Sequence, residues 1–104
     1  MKSVSARSVP KELIRERRDG EVYEYYPLGK HIVAAPGVCG GRPTFKYTRI
    51  RVEVVLDLLA AGWRIEQVAH KYRASHLSEA AVKEAIQLAK LALVKTSPAL
   101  GLAA

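Results

Sequence analysis

Residues 52–93 read VEVVLDLLAAGWRIEQVAHKYRASHLSEAAVKEAIQLAKLAL, and their periodicity sets the expected fold. Val52, Val55, Leu56 and Leu59 recur at i, i+3, i+4 and i+7, the apolar stripe of an amphipathic helix, and Gly62 supplies its stop. Ile65, Val68, Ala69 and Tyr72 mark a second stripe of only about two turns. After the turn RASHL, Ser78 is a suitable N-cap for a third helix whose core face carries Val82, Ala85, Ile86, Ala89 and Leu93 and which ends before Pro98. Three helices with a short middle one match the layout of a helix-turn-helix domain. The same stripes also serve a generic three-helix bundle.

Ahead of the helices, residues 35–51, APGVCGGRPTFKYTRIR, hold Pro36, Gly37, Gly40, Gly41 and Pro43, which forbid regular helix and predict a structured loop. It lacks the Gly-Lys-Ser/Thr of a nucleotide-binding loop. Residues 21–35, EVYEYYPLGKHIVAA, predict a short β-hairpin turning at Pro27–Lys30. Residues 11–20, KELIRERRDG, predict a marginal helix begun at Pro10 and stopped at Gly20, or a mobile basic arm. The expected fold is therefore mostly α: a three-helix helix-turn-helix, homeodomain-like or winged-helix-like, with a short N-terminal β-hairpin. The expected organisation is an arm over 1–20, one domain over 21–95 (hairpin 21–35, Gly-rich loop 36–50, helix-turn-helix 51–95) and a frayed tail over 96–104.

A chain of 104 residues has room for one modest core. Seventeen Lys and Arg against ten Asp and Glu leave a formal charge of +7, which favours a polyanionic partner. The charge is concentrated forward. Residues 1–18 hold six basic and two acidic side chains, 42–51 hold Arg42, Lys46, Arg49 and Arg51 with no acid, and 52–77 are balanced. With Cys39 the only cysteine, no internal disulfide forms, and a reducing cytoplasm is the expected location. No apolar run is long enough to span a bilayer, and the start lacks the apolar core of a signal peptide.

In a helix-turn-helix the start of the last helix approaches bases while cations elsewhere hold phosphates. Ser75, His76, Ser78 and Lys83 are then the candidates for base contact, although Glu79 disfavours phosphate and a solvated helix start is the alternative. Arg42, Lys46, Arg49 and Arg51, assisted by Arg15, Arg17 and Arg18, are the candidates for phosphate contact. Arg49 has a structural alternative, fixing the loop through Asp57 or through carbonyl oxygens. Thr48 is expected to cap or orient the first helix. His31, His70 and His76 lack metal-ligand spacing and Cys39 has no evident base, so neither an enzyme nor a metal or cofactor site is expected. Tyr23, Tyr25, Tyr26, Phe45 and Tyr47 are expected to pack a sheet on helices or on a dimer mate.

From about residue 31 to 91 the chain resembles the DUF433 family of domains of unknown function, regarded as helix-turn-helix antitoxins. The resemblance is carried by GGRPTFKYTRI, similar to a Gly-x-Pro-x-x-x-Gly-Thr-Arg-Ile signature, and by the following LLAAG. Tyr47 stands where the signature has Gly; a loop that demands positive φ there would place tyrosine in the left-handed region. The resemblance implies a homodimeric, DNA-binding antitoxin of a type II toxin-antitoxin pair that neutralises a PIN-like nuclease and autorepresses its operon. The alternative is a protein-interaction module that binds a partner nuclease without specific DNA binding.

Overall fold

The structure is a computed structural model that describes residues 12–96; residues 1–11 of the expected arm and 97–104 of the expected tail lie outside the described residues. Four strands, β1 (Ile14–Arg18), β2 (Glu21–Pro27), β3 (Ile32–Ala34) and β4 (Pro43–Phe45), precede three helices, α1 (Val52–Ala60), α2 (Ile65–Lys71) and α3 (Glu79–Thr96). The strands form one antiparallel sheet in chain order. This mixed α and β architecture overturns the expectation of a mostly α, three-helix helix-turn-helix domain. The helices fall where their stripes predict, but they share the core with a four-stranded sheet, and of the expected core face of α3 only Val82 and Ala85 are buried: Ile86, Ala89 and Leu93 are exposed because the core packs against the N-terminal half of that helix alone.

Two segments account for the difference. Ile14–Arg18 is a strand and not a helix, closed onto β2 by a two-residue turn in which Asp19 (φ 52°) and Gly20 (φ 82°) both take positive φ. That is the geometry whose twist suits a tight hairpin, and Asp-Gly is a dipeptide that favours it. In the Gly-rich stretch, Pro43–Phe45 pairs with β3 in the register Ile32↔Phe45, Val33↔Thr44 and Ala34↔Pro43. Proline is tolerated because this strand is the sheet edge.

Side chains alternate between two cores. Ile32 and Phe45 face the helices and are buried with Val52 and Val55 of α1, Val68 of α2, Leu77, and Ala81, Val82 and Ala85 of α3. Tyr25, Val33 and Ala35 form a second cluster packed by Ile14, Tyr23 and Val38. Thr44 is fully buried with no hydrogen-bond partner for its hydroxyl.

One carboxylate ties the sheet to the helices. Glu84 on α3 accepts the backbone N–H of Lys30 at 2.7 Å and of His31 at 2.6 Å, capping the β2–β3 turn. A Cβ on Gly29 would lie 2.6 Å from Glu84 Oε2, so any side chain there displaces the carboxylate. The turn between α2 and α3 is a single 3-10 turn (Arg73–Ser75) followed by His76 in the left-handed region (φ 60°) and buried Leu77. Ser78 Oγ then accepts the Ala81 N–H at 3.1 Å and caps α3 as expected.

Glu84→Ala is expected to cost about 2 kcal/mol in urea unfolding, the scale of hydrogen bonds to a charged group. Gly29→Ala should cost a similar amount, and the double variant little more than either alone because both remove the same bonds. Additive costs would show that the two residues act separately. Thr44→Val removes an unpartnered buried hydroxyl and is expected to raise stability by about 1 kcal/mol in the same titration.

Candidate functional site

The site is assembled around the loop after β4. Phe45 N–H donates to Ile50 O (3.1 Å), Thr48 N–H and Oγ1 both donate to Phe45 O (3.0 and 2.8 Å), and Ile50 N–H donates to Thr48 Oγ1 (3.0 Å). Thr48 thus closes the loop ahead of α1, whose N-cap is Arg51 without a side-chain cap bond. These bonds force Tyr47 to φ 67°. For a residue with a Cβ that conformation costs roughly 1–2 kcal/mol.

Surrounding groups hold the strained residue. Tyr47 N–H donates to the Tyr23 hydroxyl at 3.1 Å, the Tyr47 hydroxyl donates to Glu16 Oε1 at 2.8 Å, and the Arg18 guanidinium lies 3.8 Å from the centre of the Tyr47 ring. The other Glu16 oxygen accepts the hydroxyl of buried Tyr25 at 2.7 Å. The Lys46 ammonium sits over both phenols, 5.0 Å from the Tyr25 ring centre and 5.1 Å from that of Tyr47. A carboxylate on β1, two phenols and a lysine therefore form one clasp between hairpin and loop.

The ionisation of the clasp follows from its contacts. The Tyr25 hydroxyl, and next that of Tyr47, hold Glu16 below the usual carboxylate range. The bond to Glu16, reinforced by burial, pushes Tyr25 above the ordinary tyrosine value. The Tyr25 phenol beside Lys46 raises its ammonium above the ordinary lysine value against the effect of burial.

Behind this clasp lies a cleft of about 450 Å³ between the 45–48 loop and the turn that leads into α3. Its walls carry the cations Arg18, Lys30 and Lys46, the imidazoles of His31 and His76, and Ser75 and Ser78; no carboxylate lines it. None of the three cations forms an ion pair among the described residues. Tyr47 and His76, two of the four non-glycine residues at positive φ among the described residues, both border it. Backbone strain of this kind persists where the surroundings over-determine it, and it clusters at functional sites.

Of the residues singled out from sequence, Arg18, Lys46, Ser75, His76 and Ser78 meet in this cleft. Arg15, Arg17, Arg42, Arg49, Arg51 and Lys83 are not among its lining residues. Arg42 and Arg51 both bond Glu53 Oε2, at 3.0 and 3.1 Å, so one carboxylate offsets two guanidiniums. Among the described residues Arg49 makes no ion pair with Asp57; it lines one groove with Arg15 and Arg17 and another with Arg18, Tyr47, Thr48 and Ser75, and Cys39 Sγ donates to its carbonyl oxygen at 3.4 Å. Lys83 is exposed on α3 outside the cleft lining. Lys30 and His31 were missed because residues 19–30 carry a net negative charge in sequence, and only the β2–β3 turn lifts these two side chains to the rim. Among the described residues no group of three His, Cys, Asp or Glu is placed to hold a metal ion. No described helix is long and apolar enough to cross a membrane.

The described residues thus define a small mixed α and β domain with a carboxylate-free basic cleft at the seam of sheet and helices. The chain belongs to the family described as "Protein of unknown function (DUF433)", which matches residues 32–89. Comparison with curated proteins and with solved structures gave no match. The matched residues begin at β3, so the hairpin that contributes Glu16, Arg18, Tyr23 and Tyr25 lies ahead of them.

The depressed Glu16 and the raised Tyr25 and Lys46 set opposite limits on pH. Stability from Glu16 is present above its unfolded pKa and lost as pH falls through the folded value; that from Tyr25 and Lys46 is present below their unfolded values and lost as pH rises through the folded ones. The stability difference between the wild-type chain and Glu16→Gln should be level from about pH 6 to 9, and shrink below about pH 4 and above about pH 10. Unfolding titrations across that range test it, and a difference unchanged at about pH 2 contradicts the clasp.

Proposed function

We propose that this protein is a DNA-binding antitoxin of a type II toxin-antitoxin pair, gripping DNA phosphates electrostatically and neutralising a PIN-like nuclease. The observation that carries the DNA part is the cleft in which Arg18, Lys30 and Lys46 stand together with no carboxylate in the walls. Glu16 is within electrostatic reach of Lys46 and Arg18, but neither is in an ion pair among the described residues, and such a cation gains more from a phosphate than one already bonded to a glutamate, because no existing pair has to be broken. With a net charge of +7, the whole chain adds long-range attraction for a polyanion. Ser75, His76 and Ser78 at the same rim offer hydrogen bonds to phosphate or base edges. In this reading the protein works as a homodimer, which doubles the phosphate contacts on a palindromic operator, acts in the cytoplasm and uses no catalytic chemistry.

The antitoxin part rests on family membership and on the far end of α3. From residue 89 onward every described side chain of α3 is exposed, including Leu91 (52%), Leu93 (70%) and Val94 (60%). Apolar residues concentrated on a projecting helix suit a protein partner. That same observation favours the second reading, a module that binds a partner nuclease without specific DNA binding.

Fluorescence anisotropy with the duplex upstream of the protein's own gene separates the two. Affinity should fall steeply with salt, and Arg18→Ala and Lys46→Ala should each reduce the log–log salt slope by about one, as expected for one lost phosphate contact. Arg42→Ala, which removes a guanidinium already paired with Glu53, should change it less. Absence of duplex binding at low salt would leave the interaction module as the surviving reading. Co-expression with the neighbouring nuclease tests neutralisation directly, with growth lost on Leu93→Asp.

A further inference from the structure

We infer that the basic cleft is a receptor for a phosphate monoester, either the terminal phosphate of a nucleic-acid strand or the phosphate of a free nucleotide. The inference deepens the polyanion reading above and rests on it.

Shape separates a terminal phosphate from an internal one. The cleft is a concavity of about 450 Å³ walled by the 45–48 loop on one side and the 75–78 turn on the other. A phosphodiester in a duplex lies on a convex surface with an ester arm on each side, so it can touch the rim but not enter between two such walls. A terminal phosphate has one ester arm and three free oxygens, and it can enter end-on. Charge points the same way. A monoester carries about −1.5 to −2 charges near neutral pH where each backbone phosphate carries one, and three unpaired cations suit the larger charge.

The cations are also held in place. The Arg18 guanidinium lies over the Tyr47 ring, 3.8 Å from its centre, and Lys46 is seated over Tyr25 and Tyr47. Both phenols are anchored by Glu16, whose two oxygens are occupied by the Tyr25 and Tyr47 hydroxyls. Glu16 is therefore a positioning residue: its carboxylate organises the cations without lining the cleft. Holding a flexible lysine and arginine before the ligand arrives removes ordering cost from binding.

The test uses the full chain and a short 3′-labelled single strand carrying either a 5′-phosphate or a 5′-hydroxyl, measured by fluorescence anisotropy at fixed salt. The phosphorylated strand should bind on the order of tenfold more tightly, the effect of one strong charge-assisted contact. Arg18→Ala and Lys46→Met should erase the preference. Glu16→Leu discriminates by sign: simple charge predicts tighter binding when an acid is removed, whereas positioning predicts loss of the preference. Tyr25→Phe, which leaves the net charge unchanged and removes one bond to Glu16, should weaken the preference in the same direction. Adenosine 5′-monophosphate is then added as competitor beside adenosine. Displacement by the nucleotide alone assigns the cleft to free nucleotides, and failure to displace a strand that still shows the preference assigns it to strand ends. Equal binding of the two strands with duplex binding intact overturns this inference and leaves the DNA reading standing. Loss of all nucleic-acid binding at low salt overturns both.

Discussion

Two phenols share one carboxylate at the seam between the β1–β2 hairpin and the loop after β4, and the geometry of the cleft depends on that arrangement. A two-stranded hairpin is marginal by itself. Here β1 pairs with the front of β2, while the end of β2 pairs with β3, so the hairpin joins the sheet only through two residues, Tyr26 and Pro27. What fixes its angle to the rest is the small core of Tyr25, Val33 and Ala35, together with the bonds from Tyr25 and Tyr47 to Glu16. Without them Arg18 would swing with the hairpin tip, and the cleft would lose one wall.

The helical side is held by a different device. Glu84 caps the turn that carries Lys30 and His31, and so brings the sheet's turn to the start of α3. The two carboxylates play parallel roles. Each is withdrawn from the cleft by its hydrogen-bond donors, and each places a cation on the rim, Glu16 through phenols and Glu84 through backbone amides. Acid next to a cluster of cations ordinarily weakens its attraction for an anion. In this fold the two acids lie behind the donors they bond, outside the walls of the cleft.

The helices were legible because their stripes have the period that burial on one face demands: Val52, Val55, Val68, Val82 and Ala85 are all buried. The strand Ile14–Arg18 was not, since IRERR alternates between one sheet face and solvent with only one strongly apolar residue, and Arg and Glu are good helix formers. Its clue was Asp19-Gly20, two residues that take the paired positive φ of a tight hairpin and that read equally as a helix stop. β4 was hidden by the prolines and glycines around it, because an edge strand of three residues tolerates what a central strand would not. Ser75, His76 and Ser78 stand out in the sequence for the way a helix start meets a groove, and Lys46 as a cation suited to phosphate. They do converge, but with residues of the sheet, and only the register of β3 with β4 shows that the 45–48 loop lies opposite the α2–α3 turn.

Tyr47 shows how far a single side chain can shape a site. At φ 67° a glycine would fit without strain, and the loop hydrogen bonds that impose this φ come from Phe45, Thr48 and Ile50, not from Tyr47. The conformation therefore belongs to the loop, and tyrosine adopts it in spite of its Cβ. Its side chain gains a bond to Glu16, a guanidinium on its face and contact with Tyr23 at 5.3 Å between ring centres. Each of those partners lies on the hairpin ahead of the family-matched residues. The strained residue and the hairpin consequently form one unit: with glycine at this position Arg18 would have no ring to lie on and Glu16 would serve only Tyr25.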